Sequence, residues 1–524
     1  MKRRKIEAIL FCLALSGLLV VGLFLVLSQT AQEVRASPGQ LFVTPGGSGD
    51  CSQSNPCNLQ TALSSSNNGD EIYLAQGTYT SSDPEVLKVT KNLTFYGGWN
   101  GTTTSPPVRD PLAYPTILDG EEQRCVVLIQ SGTTVILDGL TIMNGKMDLQ
   151  NPTGMYGAGL FAADADLTVR HTRFYSNVVD INANIAYGGG MMVKGGSLSI
   201  EKSSFKWNSV KSQALPYGGG LAISDTLTAT VREVLFERND AWIGSGLFFT
   251  GNSSKPPVQV FASTFRDNGW GYSKGTASGG YSGAMEIVNA TAHIEGNTMD
   301  RNYGANEYGA MRVMNSEIVL LRNLITRNES YEVSALAFWY TDPLIMANNI
   351  VVDNQTTAYS FSVPAIEVKG SSGEFLHNTL ARNRNFSGSN VGEAYGILVH
   401  QSSNISLTNN IVVSHTVGIY VDGGSTANLE GTLWGSDAWA NGTDTGGGGS
   451  INTGAVNLWK DPAFLDPNNG NYHLSLSSPA IDAGVLTDLT SDIDGGVRPT
   501  GSGFDIGADE IAAIYLPLVL KLFP

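Results

Sequence analysis

Lys369, His400 and Asp422 occupy the same place in three consecutive sequence repeats and could do acid–base chemistry together. An imidazole beside a carboxylate can act as a general base, and an ammonium group can neutralise negative charge that develops on a substrate. The alternative is a solvated group of surface charges, because surface ion pairs are common and mostly inert. The three are candidate catalytic residues, and the residue types leave the choice open.

A neighbouring position in the repeats carries Glu286, Arg312 and Glu367. Glu286 and Arg312 are one repeat apart, about 4.8 Å in stacked strands, so they can form an ion pair and are candidate ligand-binding residues. Glu286 and Glu367 are three repeats apart, about 14 Å by the same spacing. Paired glycosidase carboxylates lie roughly 5 to 9.5 Å apart. These two carboxylates are therefore not expected to flank one glycosidic bond.

Aromatic residues recur along the same stretch of chain, and five of them are candidate ligand-binding residues: Tyr187, Tyr217, Phe248, Tyr281 and Tyr420. Aromatic rings on an exposed sheet could stack on sugar rings. The alternative is that each ring caps a turn and is half buried.

These residues must be positioned by a repeat that ends, in most copies, on asparagine. Its members, with a histidine in the last place, are Asn177, Asn208, Asn239, Asn268, Asn302, Asn328, Asn354, Asn383 and His415, at intervals of 26 to 34 residues. A repeated sequence motif separated by spacers of variable length is typical of a solenoid, in which each repeat buries its apolar face only by stacking on its neighbours. The asparagines are predicted at a tight turn, where Asn tolerates left-handed backbone and its amide bonds to the next coil.

Two columns within the repeat are apolar in every copy. One stands three residues before the asparagine and includes Phe174, Phe205, Phe236 and Phe265. The other stands eight residues before it, and the residues around it alternate apolar and polar, which is strand periodicity. A second strand, GGGMMVKGG in one copy, precedes each phrase. Short strands punctuated by Gly, Asn and Ser predict an all-β parallel β-helix with a stack of Phe rings inside.

The repeats resemble those of right-handed parallel β-helix proteins, the pectin-lyase-like superfamily, over about residues 111–435. The resemblance implies the fold, and it implies that a substrate would lie along the sheet of GGGMMVKGG-type strands. It does not imply one activity, since this fold carries lyases, hydrolases, epimerases and adhesins. The aspartate and arginine signatures of calcium-dependent pectate lyases and the motifs of polygalacturonases are absent at these positions.

The ends of the chain predict export. MKRRK followed by an apolar run over residues 6–27 is an export signal, with cleavage expected after Ala36; the run is also long enough to be an uncleaved membrane anchor. Cys51 and Cys57 bracket a short loop, and a disulfide between them fits an exported protein. Cys125 is predicted to be a small buried residue. A zinc site is not expected, since no histidine lies at ligand spacing.

The chain of 524 residues divides into five predicted segments. They are a signal peptide or anchor (1–36), an N-terminal cap (37–110), the β-helix (111–440), a C-terminal segment (441–510) and an apolar tail (511–524). The C-terminal segment resembles the choice-of-anchor type found in exported bacterial β-helix proteins. No cofactor is required by any motif. Calcium could be held by Asp492, Asp494, Asp505, Asp509 and Glu510, although Asp as a turn former is the simpler interpretation.

The net charge of −16 argues against a nucleic-acid partner. Together these features predict a secreted or cell-surface protein that binds polysaccharide or other cell-surface material along the GGGMMVKGG-type sheet without turning it over. Its termini could attach it to the membrane or cell envelope. The alternative function is that of a polysaccharide lyase, glycoside hydrolase or epimerase.

Overall fold

The computed structural model describes residues 39–148, 157–181, 185–211, 215–252, 254–270, 281–357, 363–385 and 394–511. They form a parallel β-solenoid of about 12 turns, which confirms the predicted fold class. The described helices are one α-helix, Leu59–Ser65, and two 3-10 helices, Asp437–Trp439 and Pro467–Asn469. No helix in the described ranges has the length and apolar character needed to cross a bilayer. The predicted signal peptide and nearly all of the apolar tail lie outside these ranges.

One face of the solenoid is a sheet of 13 parallel strands, here called the front sheet. It is built from the GGGMMVKGG-type strands, one from each coil. Its strands are Glu85–Val89, Cys125–Ile129, Leu160–Ala163, Met191–Lys194, Leu221–Ser224, Leu247–Thr250, Met285–Val288, Met311–Met314, Leu336–Trp339, Val363–Lys369, Ala394–His400, Val417–Val421 and Thr443–Gly446.

The other two faces belong to one sheet of 29 strands, which bends between them. Its second-face strands are Gln40–Val43, Glu71–Ala75, Leu93–Trp99, Thr134–Asp138, Asp166–Arg170, Ser197–Glu201, Thr228–Arg232, Pro257–Phe261, Thr291–Glu295, Glu317–Leu321, Leu344–Ala347, Ser372–Leu376 and Ser450–Thr453. Its third-face strands are Gly77–Tyr79, Thr116–Asp119, Leu140–Met143, Arg173–Tyr175, Ser204–Lys206, Leu235–Glu237, Thr264–Arg266, Thr298–Asp300, Leu324–Thr326, Ile350–Val352, Thr379–Ala381 and Asn457–Leu458. Two long strands, Asn404–Val413 and Thr426–Leu433, run through both faces, and Ser48–Ser52 and Asn55–Cys57 complete the sheet at the N-terminal end.

Within the described ranges, four small sheets lie outside these three faces. Three of them are parallel and follow the coils: Lys146–Asp148 with Val178–Asp180 and Ser209–Lys211; Ile185–Tyr187 with Leu215–Tyr217; and Tyr303–Gly304 with Glu329–Ser330, Gln355–Thr356 and Arg384–Asn385. The fourth is an antiparallel pair, Phe464–Asp466 with Asn471–Leu474.

The asparagine column lines one corner of the solenoid and forms a continuous hydrogen-bonded ladder. Asn177 Nδ2 donates to Asn208 Oδ1 at 2.9 Å, and Asn208 Nδ2 donates to Asn239 Oδ1 at 3.0 Å. The pattern repeats up to Asn383, whose amide lies 3.2 Å from His415 Nε2. Each amide also bonds a backbone carbonyl of the preceding coil, as Asn208 does with Phe174. The predicted amide ladder is confirmed, and this column with its adjoining Phe residues is called the ladder corner below.

The left-handed turn at the ladder corner is made by the residue before each asparagine, so the prediction that the asparagines themselves adopt it is wrong. The residues with positive φ are Ser176, Trp207, Arg238, Asp267, Arg301, Arg327, Asp353, Arg382 and Ser414. The side chain of the left-handed residue points away from the coil, whereas the asparagine must point inward to reach its carbonyl. The two tasks therefore fall to adjacent residues.

Apolar stacking fills the interior as predicted. Phe174, Phe205, Phe236 and Phe265 are fully buried and pair in register. Their ring centroids are 4.5, 5.0 and 4.6 Å apart along the stack, with the rings within 7° of parallel. The stack follows from strand spacing, because identical side chains on hydrogen-bonded strands lie one above another.

The N-terminal cap is the first part of the solenoid itself. Gln40–Val43 pairs in parallel with Glu71–Ala75, and that strand pairs with Leu93–Trp99. Cys51 and Cys57 are joined in a disulfide, as predicted, and Cys125 is buried. Burial raises the pKa of the Cys125 thiol to about 12, so it is an inert core residue.

The C-terminal segment folds back along the outside of the third face. Outward-facing apolar residues of the coils, among them Ile350 and Val413, pack against Phe464, Tyr472 and Ile506 of the segment. The coils also continue beyond residue 440, since Thr443–Gly446 is the last front-sheet strand. The segment thus begins after this coil and covers an apolar patch of the solenoid.

Candidate functional site

The outward residues of the front sheet form two columns, and strand register confirms both. The first column runs Met192, Ala222, Phe248, Glu286, Arg312, Ala337, Glu367, Leu398 and Tyr420. The second runs Lys194, Ser224, Thr250, Val288, Met314, Trp339, Lys369 and His400. Glu286 and Glu367 are three registers apart, as predicted.

Much of the first column is covered, although it points away from the core. The segment that precedes each front strand folds across it, and these segments pair with one another through Ser282, Tyr308 and Val333. Glu286 is 2% exposed and Phe248 is 5% exposed. The expectation of a long open sheet therefore does not hold for these coils, because their connecting segments act as a lip over the sheet.

The aromatic candidates of the N-terminal coils form one packed cluster under this lip. The rings of Tyr187 and Tyr217 stack at 5.1 Å, and Tyr217 lies 4.5 Å from Phe248. Burial raises the pKa of Tyr217 to about 12. Phe248 is therefore a buried support for the two tyrosines and has no open face for a sugar ring. Tyr187 and Tyr217 are half buried.

Arg312 is the centre of the next group of candidates. Its guanidinium pairs with the buried Glu286 carboxylate at 2.5 Å and lies 3.5 Å from Glu307. It also faces three aromatic rings, at 5.1 Å from Tyr308, 5.4 Å from Trp339 and 6.0 Å from Tyr281. The predicted pairing of Glu286 with Arg312 is confirmed. Only 11% of the Arg312 side chain is exposed, so the cation is held inside a cage of rings and carboxylates.

Glu367 joins this group to the candidate catalytic residues. Its carboxylate accepts a hydrogen bond from Trp339 Nε1 at 2.7 Å and lies 2.9 Å from His400 Nε2. Lys369 Nζ sits 3.9 Å from the centre of the Trp339 ring. The eight residues Glu286, Glu307, Tyr308, Arg312, Trp339, Glu367, Lys369 and His400 are called the front cluster below.

Asp422 does not pair with His400, contrary to the predicted imidazole–carboxylate set. Its Oδ2 accepts a hydrogen bond from the backbone of Gln401 at 3.1 Å, and its Oδ1 is buried with no hydrogen-bond partner among the described residues. The carboxylate that meets the imidazole is Glu367, on the preceding coil. Tyr420 stacks on Tyr395, with centroids 4.8 Å apart.

Sequence reasoning missed Glu307, Tyr308 and Glu332. The lip pairing places Glu307 and Glu332 on the coils after Tyr281, so they continue the tyrosine column with acidic residues. Burial raises the pKa of Glu307, and the carboxylates of Glu286 and Glu367 raise it further against the opposing effect of Arg312. Partial desolvation and the Glu307 and Glu367 carboxylates raise the pKa of Glu332. The sequence did contain a signal for these glutamates, because Tyr281, Glu307 and Glu332 each lie four residues before a front-sheet strand.

The acidic residues suggested as calcium ligands lie in the C-terminal segment. Asp492 Oδ1 accepts the backbone N–H of Gly496 at 2.6 Å, and Asp505 Oδ2 accepts that of Ile511 at 2.8 Å. Their oxygens act as turn formers, which supports the simpler interpretation. His473, Asp494 and Asp509 each place one possible metal-ligand atom within 4.8 Å of the other two. Two of these residues, His473 and Asp494, are in direct contact at 3.0 Å, which brings their ligand atoms together without a metal ion. Calcium binding stays a prediction.

Comparisons with known proteins bear on the fold. Residues 276–433 match the family model described as a right handed beta helix region. No curated protein matches the chain. Among solved structures, the chain is similar to the crystal structure of pectate lyase Pel9A, with 13% identity, a TM-score of 0.30, and coverage of 91% of this chain and 97% of that chain. It is also similar to a PL6 family alginate lyase, AlyGC, with 11% identity, a TM-score of 0.24 and coverage of 78% of each chain. At these identities and TM-scores, neither likeness bears on what the chain does.

Proposed function

We propose that the chain binds a polysaccharide across the second column of the front sheet, around Trp339, Lys369 and His400, without turning it over. One observation carries the proposal: the groups that could catalyse are engaged with one another. Glu367 is held by Trp339 and His400, and Arg312 is held by Glu286 and Glu307. A general acid or base has to meet a proton of the substrate, and these groups already meet protein partners.

Groups with spare hydrogen-bonding capacity lie beside this set. Lys369 Nζ carries three donors and packs its charge on the Trp339 ring. Tyr340, the residue after Trp339, is 52% exposed. A cationic donor and an exposed ring within neighbouring coils suit the hydroxyl groups and apolar faces of a sugar chain.

Charge indicates which polysaccharide should bind. Four carboxylates, Glu286, Glu307, Glu332 and Glu367, share the region with two permanent cations, Arg312 and Lys369. The whole chain carries a net charge of −16. A neutral polysaccharide is therefore expected to bind better than a polyuronate, and the preference should weaken at high salt.

The test measures binding and turnover on the same polysaccharides. The purified chain is titrated with a panel of neutral and acidic polysaccharides, and each mixture is assayed for new reducing ends and unsaturated products. Lys369→Ala is expected to weaken binding about tenfold, as the loss of one charge-assisted hydrogen bond would. Lys194→Ala is the matched control, because Lys194 is in the same column six registers away, about 29 Å.

Catalysis by the front cluster is the competing function, and the pairing of His400 with Glu367 favours it, since an oriented imidazole can act as a general base. If a polysaccharide is cleaved or epimerised, and His400→Ala and Glu367→Gln each abolish that activity while the fold stays intact, the non-catalytic proposal is wrong. Loss of activity in Asp422→Ala as well would support the catalytic role predicted for Lys369, His400 and Asp422.

We also propose that the chain works outside the cytosol. The support is the basic and apolar N-terminal sequence together with the Cys51–Cys57 disulfide, a bond that persists in oxidising compartments. Mass spectrometry of the native protein is expected to find the two cysteines joined. Free thiols together with an intact cytosolic N-terminus would contradict the proposal.

A further inference from the structure

Trp207 is a large aromatic residue at a position where its backbone conformation is uncommon for such a residue and its ring is exposed. It takes the left-handed conformation at the ladder corner, with φ of 60°, which is uncommon for bulky residues. Its side chain is on the outside of the corner and is 47% exposed. All the other positions in this left-handed column hold Ser, Arg or Asp. Neither burial nor turn geometry accounts for a tryptophan here.

The two faces of the Trp207 ring have different surroundings. Arg238, on the following coil, places its guanidinium 4.8 Å from the ring centre. The preceding coil has Ser176 in the equivalent place, and a serine is too short to cover the other face. A cleft of about 610 Å³ opens there, and Trp207, Tyr175 and Ser176 line it. Tyr175 is itself 41% exposed.

The remaining lining of the cleft is Gly145, Val178 and four charged residues whose charges balance. Lys146 and Lys211 contribute two cations, and Glu122 and Asp180 contribute two anions. Two exposed aromatic rings with a few surrounding hydrogen-bonding groups are the chemistry of a small-ligand subsite. A planar apolar face edged by donors and acceptors matches a pyranose ring, which has an apolar C–H face and hydroxyl groups around its edge. Equal numbers of both charges give no preference for a polyanion or a polycation.

We propose that this cleft is a second carbohydrate site, in which a neutral pyranose ring stacks on the Trp207 face opposite Arg238. The hydroxyl groups of the sugar bond with Lys146, Asp180 and Lys211, and Tyr175 packs along one side of the ring. The site is on the corner between the third face and the small sheet of Lys146–Asp148, Val178–Asp180 and Ser209–Lys211, away from the front cluster. It does not depend on the front cluster for any contact.

The experiment uses the full chain carrying Lys369→Ala, so that binding at the front cluster is weakened about tenfold. Isothermal titration with neutral oligosaccharides of glucose, mannose, xylose and galactose measures the remaining affinity. Trp207→Ala is expected to lower the affinity of the bound sugar about tenfold or more. Ser176→Arg is expected to lower it as much, because Arg at this left-handed place fills the open face just as Arg238 fills the other. Binding should change little between low and high salt.

Trp459→Ala is the matched control, since Trp459 is 60% exposed on the last coil and far along the chain. It should leave the affinity unchanged. Thermal melting of each variant shows whether the fold is kept, and Ser176→Arg keeps the test valid if Trp207→Ala does not fold. The proposal is overturned if no neutral oligosaccharide binds, or if both folded cleft variants bind as tightly as their parent.

Discussion

The ladder corner and the front cluster both place polar side chains where little water reaches, yet they satisfy them in different ways. At the ladder corner one residue type repeats, and each amide donates to the next while accepting from the one before. On the front sheet, adjacent registers carry different residue types: Glu286, Arg312, Ala337 and Glu367 follow one another. An amide is both donor and acceptor, so it can bond to a copy of itself, whereas a carboxylate needs a different partner.

This contrast separates architecture from function in the solenoid. A self-complementary residue can be copied in every coil and stabilises all of them equally. The front cluster departs from the repeat in several adjacent coils, and its charges are held by specific neighbours, which buried ion pairs require. Departures from the repeat are therefore where a binding site is expected, and the Trp207 cleft is a second such departure.

The largest effect is expected where the ladder is interrupted. Asn268→Ala removes the acceptor of the Asn239 amide and backbone and the donor to the Phe236 carbonyl. About three buried polar groups then lack partners, which should cost roughly 5 kcal/mol of unfolding free energy at about 1 to 3 kcal/mol each. Chemical denaturation measures the loss. Asn452→Ala is the control, because Asn452 bonds Asn428 on the exposed surface, and an equal loss there would contradict the explanation.

The front cluster should respond to the removal of one ion but tolerate the removal of the pair. Arg312→Met leaves the Glu286 carboxylate buried without its partner and should cost about 3 to 5 kcal/mol. Adding Glu286→Met should recover most of this loss, because the uncompensated charge is gone. A double variant no more stable than Arg312→Met would show that the cage of rings, and not the charge, stabilises this region.

The histidine in the ladder column should make stability depend on pH, because it stands between Asn383 and Asn441 in the hydrogen-bonded column. His415 is buried, and desolvation lowers its pKa to about 4, below its unfolded value near 6.5. The unfolded chain then binds the proton more readily, so stability present above pH 6.5 is lost as pH falls toward 4. Between pH 7 and pH 5 this should amount to about 2 kcal/mol. His415→Asn, which extends the ladder with an amide, should lose about 2 kcal/mol less than the parent over that range; equal losses would show that His415 has no part in it.

The smallest effect is expected among the exposed charged side chains on the outer surface of the ladder corner. Arg327 pairs with Asp300 at 2.8 Å, but 57% of the Arg327 side chain is exposed. Removing an exposed partner should cost less than about 1 kcal/mol, and the cost should shrink with added salt. Denaturation of Arg327→Ala at low and high salt checks this. A salt-independent loss of several kcal/mol would show that these outer charges support the coils as the amides do.

The local sequence pattern was sufficient to predict the structure of the repeating parts of the molecule. The offset of the Phe column from the asparagines predicted a stack, and strand pairing at regular spacing is what produces it. The same register placed Glu286 beside Arg312 and separated it from Glu367. A column can be predicted in this way because its geometry depends only on strand periodicity and on the number of coils between two residues.

Three features, two at the front sheet and one at the ladder corner, depended on the tertiary structure. The lip that buries Phe248 and Glu286 is made of connecting segments whose lengths vary from coil to coil, and no repeat pattern describes their path. The partner of His400 is Glu367 and not Asp422. The two side chains lie in different columns, and strand register alone does not predict such a diagonal contact. The left-handed turn falls one residue before each asparagine, because the asparagine side chain must face inward.

The sequence by itself therefore determined the solenoid, its ladder, its Phe stack and the two outward columns, all of which arise from strand spacing and a repeated phrase. Only the tertiary structure decided which outward residues stay open, which charges pair, and where the Trp207 ring keeps a free face. The physical reason is the range of the interactions. Backbone pairing repeats at one fixed distance along the coils, whereas coverage, ion pairing and ring exposure depend on segments and side chains that differ from one coil to the next.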